Sequence, residues 1–299
     1  MKIDESIEER LKKALKILND CEGCYRYCRI NRWECSKTYC HTGIRPKLYK
    51  TSIENDQFFI NNKQIAKIYF QHCNLRCIYC YDYQIHHEHY LNNNNEISLD
   101  EYGELLVDFF QNKNIKAIQL INVDHLIPHT LYAIYYAIKK IQKIKKSIIF
   151  ESNGFALQST LHFLKDFIQI YITDFKFISE HLSRLYLKEQ YYPEIVKETV
   201  REMYQQVGDL EIKNGFIQKG LIIRLLILPD LSEEYLKIID YLKTISLGIG
   251  IIINSNYIPS GLVLKKQMYK EINQTVNKND LDSVYNYALK NNFKNVYFY

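Results

Sequence analysis

Eight cysteines mark the part of this chain where metal chemistry is expected, and all of them lie between Cys21 and Cys80. Three of them follow the pattern C-x3-C-x2-C directly after an apolar run, namely Cys73, Cys77 and Cys80. Thiolates spaced along one short loop can bind three irons of a [4Fe–4S] cube and leave the fourth iron without a protein ligand. An open coordination position makes a metal centre a reaction site. The spacing therefore predicts an iron–sulfur cluster with one corner open to a substrate or cosubstrate.

Two other uses of these cysteines are weaker. A structural zinc site needs four ligands, usually in C-x2-C pairs, and His72 as the fourth ligand would be strained by its neighbour Cys73. A disulfide framework needs an oxidising compartment, but the start of the chain, Met-Lys-Ile-Asp-Glu-Ser, has no apolar signal segment. We therefore expect a cytoplasmic protein with reduced thiols.

The cysteine pattern, with the aromatic Tyr79 before its third cysteine, resembles the signature of radical S-adenosylmethionine (SAM) enzymes. The resemblance implies that the open iron chelates SAM and that one electron cleaves SAM to a 5′-deoxyadenosyl radical, which abstracts hydrogen from a substrate. It further implies an electron donor such as flavodoxin or ferredoxin, and a partial six-stranded (β/α) barrel.

Composition limits the remaining function classes. The chain has 299 residues, 47% of them hydrophobic, which is enough for one large domain with an extension. The net charge of +5 is modest and its lysines are scattered, so nucleic acid is not an expected partner. There is no uninterrupted apolar run near 18 residues, so no membrane span is expected.

Alternating strands and helices from residue 65 onward predict an α/β fold, a partial (β/α)6 barrel at 65–299 behind a cysteine-rich extension at 1–64. The predicted strands are 65–71, 116–122, 147–151, 168–174, 221–228 and 249–254. The predicted helices are 4–19, 98–112, 128–145, 158–165, 179–188, 193–207, 232–246 and 280–292. In such barrels the chemistry takes place at the carboxyl ends of the strands.

Polar side chains accompany the ends of these strands. They are Asn122 and Asp124 after the second, Glu151, Ser152 and Asn153 at the third, Asp174 and Lys176 at the fourth, and Arg224 within the fifth. Two facing acids need a cation, or one of them must take up a proton. A buried arginine needs a partner, which is a ligand carboxylate, a salt bridge to Asp174 or Glu151, or both. Asp124 is either a cofactor ligand or a helix cap before Pro128.

Two of these strand ends, Glu151-Ser-Asn-Gly154 and Asp174-Phe-Lys176, resemble motifs of pyruvate formate-lyase activating enzyme. The resemblance implies a monovalent cation held beside SAM by Glu151, Ser152 and Asp174. It also implies that Arg224 binds the SAM carboxylate, with Lys176 next to it. The rest of the predicted cofactor-binding set is Tyr79, Asn122, Asp124 and Asn153. The chain departs from many relatives at Asn122-Val-Asp124, where they have Gly-Gly-Glu.

The order of motifs from residue 21 onward resembles a pyruvate formate-lyase activating enzyme-like subfamily, which includes a sugar epimerase of antibiotic biosynthesis. Its four-cysteine pattern matches Cys21, Cys24, Cys28 and Cys40. Four thiolates this close favour a second metal site, either zinc or an auxiliary iron–sulfur cluster, over free buried thiols. Cys35 is additional, and is either a hydrogen-atom donor to a substrate radical or a spare thiol.

Three functions are consistent with these patterns. The first is a radical SAM enzyme that acts on a small molecule, a sugar or a peptide. The second is an activase that installs a glycyl radical on a partner enzyme. The third is a non-catalytic binding protein stabilised by metal. The subfamily usually has Gln-Asn after the third cysteine and often Thr-Pro-Thr-His after the second strand, where this chain has Tyr81-Asp82 and Asn122-Val-Asp-His125. This divergence at the substrate face favours the first.

Overall fold

The structure is a computed structural model that describes residues 5–56, 63–87, 95–142, 144–266 and 269–299. A nine-stranded sheet forms its centre. The strands are β1 (Leu48–Asp56), β2 (Lys63–Phe70), β3 (Ile115–Ile121), β4 (Ser147–Ser152), β5 (Ile170–Asp174), β6 (Glu211–Lys213), β7 (Phe216–Leu226), β8 (Gly250–Asn254) and β9 (Asn295–Phe298).

The six predicted strands are confirmed as β2, β3, β4, β5, β7 and β8, and they pair in parallel in chain order. β9 adds a parallel strand at one edge, while β1 joins β2 and β6 joins β7 in antiparallel pairs. Within the described residues no strand pairing joins β1 to β9, so the barrel is partial and open. The α/β fold class is therefore confirmed.

Helices connect these strands as the periodic apolar patterns predict. They are α1 (Glu5–Lys16), α2 (Tyr83–His87), α3 (Leu99–Gln111), α4 (Ile127–Ile141), α5 (Gln158–Leu161), α6 (Glu180–Leu187), α7 (Tyr192–Val207), α8 (Ser232–Lys243), α9 (Gly261–Lys266) and α10 (Lys278–Lys290). The short α2 and α9 were not predicted. α3 begins with a capping box, in which the Ser98 side chain accepts the N–H of Glu101 and the Glu101 side chain accepts that of Ser98. Residues 4 and 143 of two predicted helices lie outside the described residues.

One face of the sheet is apolar at the start of its strands and charged at their ends. Alternate residues of a strand point to the same face. Ile149 and Glu151 therefore share a face in β4, as do Ile222 and Arg224 in β7. Because Asp174 pairs directly with Arg224 in the β5–β7 register, the strand-end charges meet at one edge.

The cysteine-rich segment packs on this core. Arg32 is buried, and its guanidinium donates to the carbonyl oxygens of Thr42, Gly43 and His125. β1, also within the predicted extension, is hydrogen-bonded to β2 along its length. The division of the chain at residue 64 stays a prediction. In the described ranges, no helix is both long enough and apolar enough to cross a membrane.

Candidate active site

A cavity of about 750 Å³ opens at the carboxyl ends of the parallel strands and collects most of the predicted site residues. These lining residues are Cys73, Cys77, Tyr79, Cys80, Asn122, Glu151, Ser152, Asn153, Asp174, Lys176 and Arg224. Asp124 lies behind the wall rather than in it, and Cys35 is not a lining residue. The expectation that the chemistry takes place at the carboxyl ends of the strands therefore correctly identifies residues that are far apart in the chain but line one cavity.

The cysteine loop follows β2, and the protein surrounds its thiols. Burial raises the pKa of Cys73, Cys77 and Cys80, and that of Cys77 reaches about 12. Such thiols stay protonated unless a positive centre replaces the proton. The N–H of Leu75 points at Cys73, with N and Sγ 3.4 Å apart. Cys73 and Cys77 are buried and Cys80 is half-buried, and such a set of three sulfurs fits a cluster of positively charged irons better than a solvent-exposed nucleophile.

Asn122 contacts the backbone at the start of this loop. Its backbone is left-handed, with φ of 60°, and its amide donates to the carbonyl oxygens of Phe70 (3.1 Å) and His72. Asparagine tolerates this conformation better than most residues. The side chain therefore ties the end of β3 to the start of the cysteine loop, in addition to lining the cavity.

The strand-end charges form one connected ion-pair network. Arg224 Nη1 lies 2.6 Å from Glu151 Oε1, and Arg224 Nε lies 2.5 Å from Asp174 Oδ1. Lys176 Nζ lies 2.7 Å from the other oxygen of Asp174. Burial alone would raise the pKa of Asp174, but the charges of Arg224 and Lys176 outweigh it and lower the pKa to about 2. Arg224 thus pairs with both acids.

The predicted cation ligands all have protein partners in this arrangement. Glu151 accepts from Gln119 Nε2 at 2.6 Å as well as from Arg224, and Asp174 is held by two cations. The third, Ser152, donates its hydroxyl to Asp124. The two carboxylates are therefore neutralised by side chains, and the monovalent cation stays a prediction.

Asp124 organises the β4 turn instead of capping α4. Its Oδ1 accepts the Ser152 hydroxyl at 2.5 Å and its Oδ2 accepts the Asn153 N–H at 3.0 Å. The N-terminus of α4 receives no side-chain cap. Burial raises the pKa of Asp124 to about 6, although these hydrogen bonds partly offset the effect. Asp124 is thus a buried acid that positions the turn lining the cavity.

Tyr192 is a site residue that the sequence reasoning missed. Its hydroxyl oxygen lies 3.0 Å from the carbonyl oxygens of both Asn153 and Asp174, and it accepts the N–H of Lys176 at 3.2 Å. Gly154 leaves room for this hydroxyl, because a Cβ there would lie 2.7 Å from it and 2.6 Å from the Asp174 carbonyl oxygen. A tyrosine at the start of an amphipathic helix carries no sequence signal for this role.

His86 is a second missed residue, and it lies on the unpredicted helix α2. Its Nδ1 lies 3.5 Å from Cys80 Sγ, and the ring lines the cavity. Burial lowers the pKa of His86 to about 4, so the imidazole is neutral near neutral pH.

The upstream cysteines lie together in the extension. Cys21, Cys24 and Cys40 are buried and Cys28 is half-buried. The Tyr39 N–H points at Cys28 Sγ at 3.3 Å, and the Cys28 thiol lowers the pKa of Cys21 to about 6. Across the described residues, however, no three His, Cys, Asp or Glu side chains converge on a position for one metal ion. The second metal site stays a prediction.

The extension also holds the cysteine loop directly. Arg26 donates from Nε to the Asn74 carbonyl oxygen at 2.8 Å and pairs with Glu189 at 2.5 Å. The Tyr39 ring lies between two guanidinium groups, 4.0 Å from that of Arg26 and 4.2 Å from that of Arg76. Arg76 in turn donates to the Cys73 carbonyl oxygen at 2.8 Å. Cation–π contacts of this kind stabilise the loop from outside.

Comparison with known proteins places this site in a family. The sequence model of the radical SAM superfamily matches residues 68–242, more than half of the chain. Uncharacterized protein MJ0674 of Methanocaldococcus jannaschii is 22% identical over 302 residues, which cover 97% of this chain and 80% of that protein. A crystal structure of methylornithine synthase (PylB) aligns with a TM-score of 0.48 at 11% identity, over 100% of this chain and 79% of that one. On the family match, the chain belongs to the radical SAM superfamily.

Proposed function

We propose that Cys73, Cys77 and Cys80 hold the [4Fe–4S] cluster of this radical SAM enzyme, and that Arg224 and Lys176 receive the carboxylate of SAM. The observation that carries the proposal is that these three thiols and two cations line one cavity at the strand ends. When bound, the cluster and SAM supply a 5′-deoxyadenosyl radical that abstracts hydrogen from the substrate.

The ion-pair network prepares Arg224 to receive a carboxylate. Glu151 and Asp174 hold Nη1 and Nε, which leaves Nη2 without a hydrogen bond to any described residue. The Arg224 side chain is 28% exposed, so part of the guanidinium remains accessible to a ligand. A planar guanidinium held at two corners loses little conformational entropy when it binds a carboxylate. The two acids therefore orient this cation as well as neutralise it.

A small molecule, a sugar or a peptide is the substrate class that we favour. The cavity volume of about 750 Å³ is in the upper part of the range for sites that enclose small ligands. Beyond the ion-pair network its wall carries amides and phenols, those of Asn254, Asn256, Tyr257 and Tyr299. These groups can bind a polar organic molecule by hydrogen bonds and ring contacts.

An activase that docks a glycyl-radical enzyme is the second candidate, and one feature favours it. Three large side chains that line the cavity are strongly exposed, with 79% of Tyr81, 59% of Ile258 and 63% of Tyr299 accessible. Exposed aromatic and apolar side chains are enriched at protein-binding surfaces. This candidate would also agree with the proposed pyruvate formate-lyase activating enzyme-like subfamily.

Anaerobic reconstitution tests the enzyme proposal. We expect about four irons per catalytic cluster, and 5′-deoxyadenosine when the reduced protein receives SAM. The Cys77→Ala variant should fold but form no 5′-deoxyadenosine. Wild-type protein that carries the cluster and yet forms none would refute the assignment.

Metal analysis of a variant with Cys73, Cys77 and Cys80 all changed to Ala tests the upstream cysteines. Iron that remains indicates an auxiliary cluster, zinc indicates a structural site, and neither indicates free thiols. The substrate classes can be separated by adding either the low-molecular-weight fraction or the protein fraction of a cell extract. The fraction that accelerates 5′-deoxyadenosine formation contains the substrate.

A further inference from the structure

Asp124, which is buried, and Asn153, which is half-buried, form a hydrogen-bond chain that ends on a sulfur of the cysteine loop. Asp124 is fully buried and accepts the backbone N–H of Asn153 at 3.0 Å. The side-chain Nδ2 of Asn153 then lies 3.3 Å from Cys73 Sγ and 2.8 Å from Asn74 Oδ1. The function proposed above uses neither the buried acid nor this amide-to-sulfur contact.

The hydrogen-bond network determines the orientation of the Asn153 amide. Its Oδ1 accepts the N–H of Phe155 at 2.9 Å, so the NH₂ group must face Asn74 and Cys73. Both amide hydrogens then have an acceptor, one an oxygen and one a sulfur. Ionised acceptors form stronger hydrogen bonds than neutral ones. The contact to Cys73 therefore strengthens when that thiol loses its proton to bind iron.

We propose that Asn153 sets the reduction potential of the cluster by donating a hydrogen bond to the Cys73 sulfur, and that Asp124 is the positioning residue for this donor. The inference rests on the proposed cluster at Cys73. Hydrogen bonds to the sulfur ligands are one means by which proteins set cluster potentials. A donor stabilises the more negatively charged, reduced cluster, so Asn153 makes the potential less negative and reduction easier.

An EPR-monitored redox titration of the reconstituted protein tests this role. Asn153→Ala should move the midpoint potential to a more negative value with iron content unchanged, because Leu75 still donates to the same sulfur. Asp124→Ala removes both the positioning contact and a negative charge close to Cys73, so its shift in the wild-type background should be more negative than its shift in the Asn153→Ala background, which reports the charge alone. The double variant should be no more negative than Asn153→Ala, because Asp124 acts through Asn153. Gln206→Ala, which removes another half-buried hydrogen-bonded amide away from the cavity, should leave the potential unchanged.

An unchanged midpoint potential in iron-loaded Asn153→Ala would overturn the proposal. If the shift of the double variant equals the sum of the shifts of the two single variants, Asp124 does not act through Asn153, and its positioning role is refuted. If the variants fail to load, pulsed EPR on wild-type protein with ¹⁵N-labelled asparagine decides. A nitrogen coupling from a side-chain amide supports the contact, and its absence refutes it. Wild-type protein that binds no cluster would refute the proposed function instead, so the two failures are distinguishable.

Discussion

Removing the guanidinium of Arg224 should separate SAM binding from cluster assembly. In Arg224→Ala, Glu151 and Asp174 lose a shared cation, and Lys176 remains the partner of Asp174. The cysteine loop keeps its own hydrogen bonds, because Cys73 is contacted by Leu75 and Asn153. We therefore expect iron content near that of the wild type and a large loss of SAM affinity.

The magnitude follows from the charges that are lost. A hydrogen bond to a charged group contributes about 1.5–3 kcal/mol, so the Kd for SAM should rise roughly 10- to 150-fold. Breaking a buried ion pair costs about 3–5 kcal/mol, and partial exposure of Arg224 places its loss of stability near the lower value. Arg224→Lys should retain the positive charge but not the planar group that contacts Glu151 and Asp174 at the same time, and should give an intermediate Kd for SAM.

Equilibrium SAM binding to the cluster-loaded protein measures this effect, with thermal unfolding as the check on stability. Lys219→Ala is the matched control, because Lys219 lies on the same strand β7 and forms an exposed ion pair with Glu211 at 3.0 Å. Exposed pairs contribute little, so its SAM affinity and stability should stay close to those of the wild type. Unchanged SAM affinity in iron-loaded Arg224→Ala would refute the carboxylate role.

Three further substitutions test how the site is positioned. Tyr192→Phe removes the hydroxyl shared by three backbone groups and should lower the free energy of unfolding by about 1–3 kcal/mol in a urea titration; a smaller loss would mean that water replaces it. Gly154→Ala should cost about 2–5 kcal/mol, because φ is 80° and the new Cβ meets the Asp174 carbonyl oxygen. Gly208→Ala has a similar φ of 71° but nothing within 4 Å, so it should cost less, and equal losses would exclude the clash as the cause. Asp124→Asn should alter the pH dependence of stability. With its pKa raised to about 6, native Asp124 binds more protons than the unfolded chain between about pH 4 and 6, so its contribution falls by about 3 kcal/mol as pH rises through that window. Asp124→Asn has no carboxyl group to titrate, so its unfolding free energy relative to that of the wild type should rise over the same pH window. If the two curves of unfolding free energy against pH are parallel, the raised pKa of Asp124 does not cause the pH dependence.

The six predicted strands could be found because each contains a run rich in apolar residues, as in Ile251–Ile253 of β8, whose burial needs no knowledge of the neighbouring strands. β1 could not, because most of its residues are exposed and polar, and only pairing with β2 makes it a strand. The helix α2, with five residues, is too short to show a period.

Prediction of the site from the sequence is likewise limited where a role depends on contacts between distant segments of the chain. The strand-end rule finds Glu151, Asp174 and Arg224, because each follows or interrupts an apolar run. Which of them pair depends on the β5–β7 register, which places Asp174 directly beside Arg224. The role of Tyr192 depends on how α7 packs over two strand ends, and no local pattern encodes a contact across that distance.

The Tyr39 ring between Arg26 and Arg76 has a practical consequence for any attempt to shorten this protein. A chain that starts at residue 65 would retain every predicted ligand of the catalytic cluster. It would nevertheless lose the aromatic ring between the two guanidinium groups, the hydrogen bond from Arg26 to Asn74, and the pairing of β1 with β2. Because it would also lose the core side chains of α1, such a minimal barrel should be less stable, and it should release its iron faster under oxygen than the 299-residue chain does.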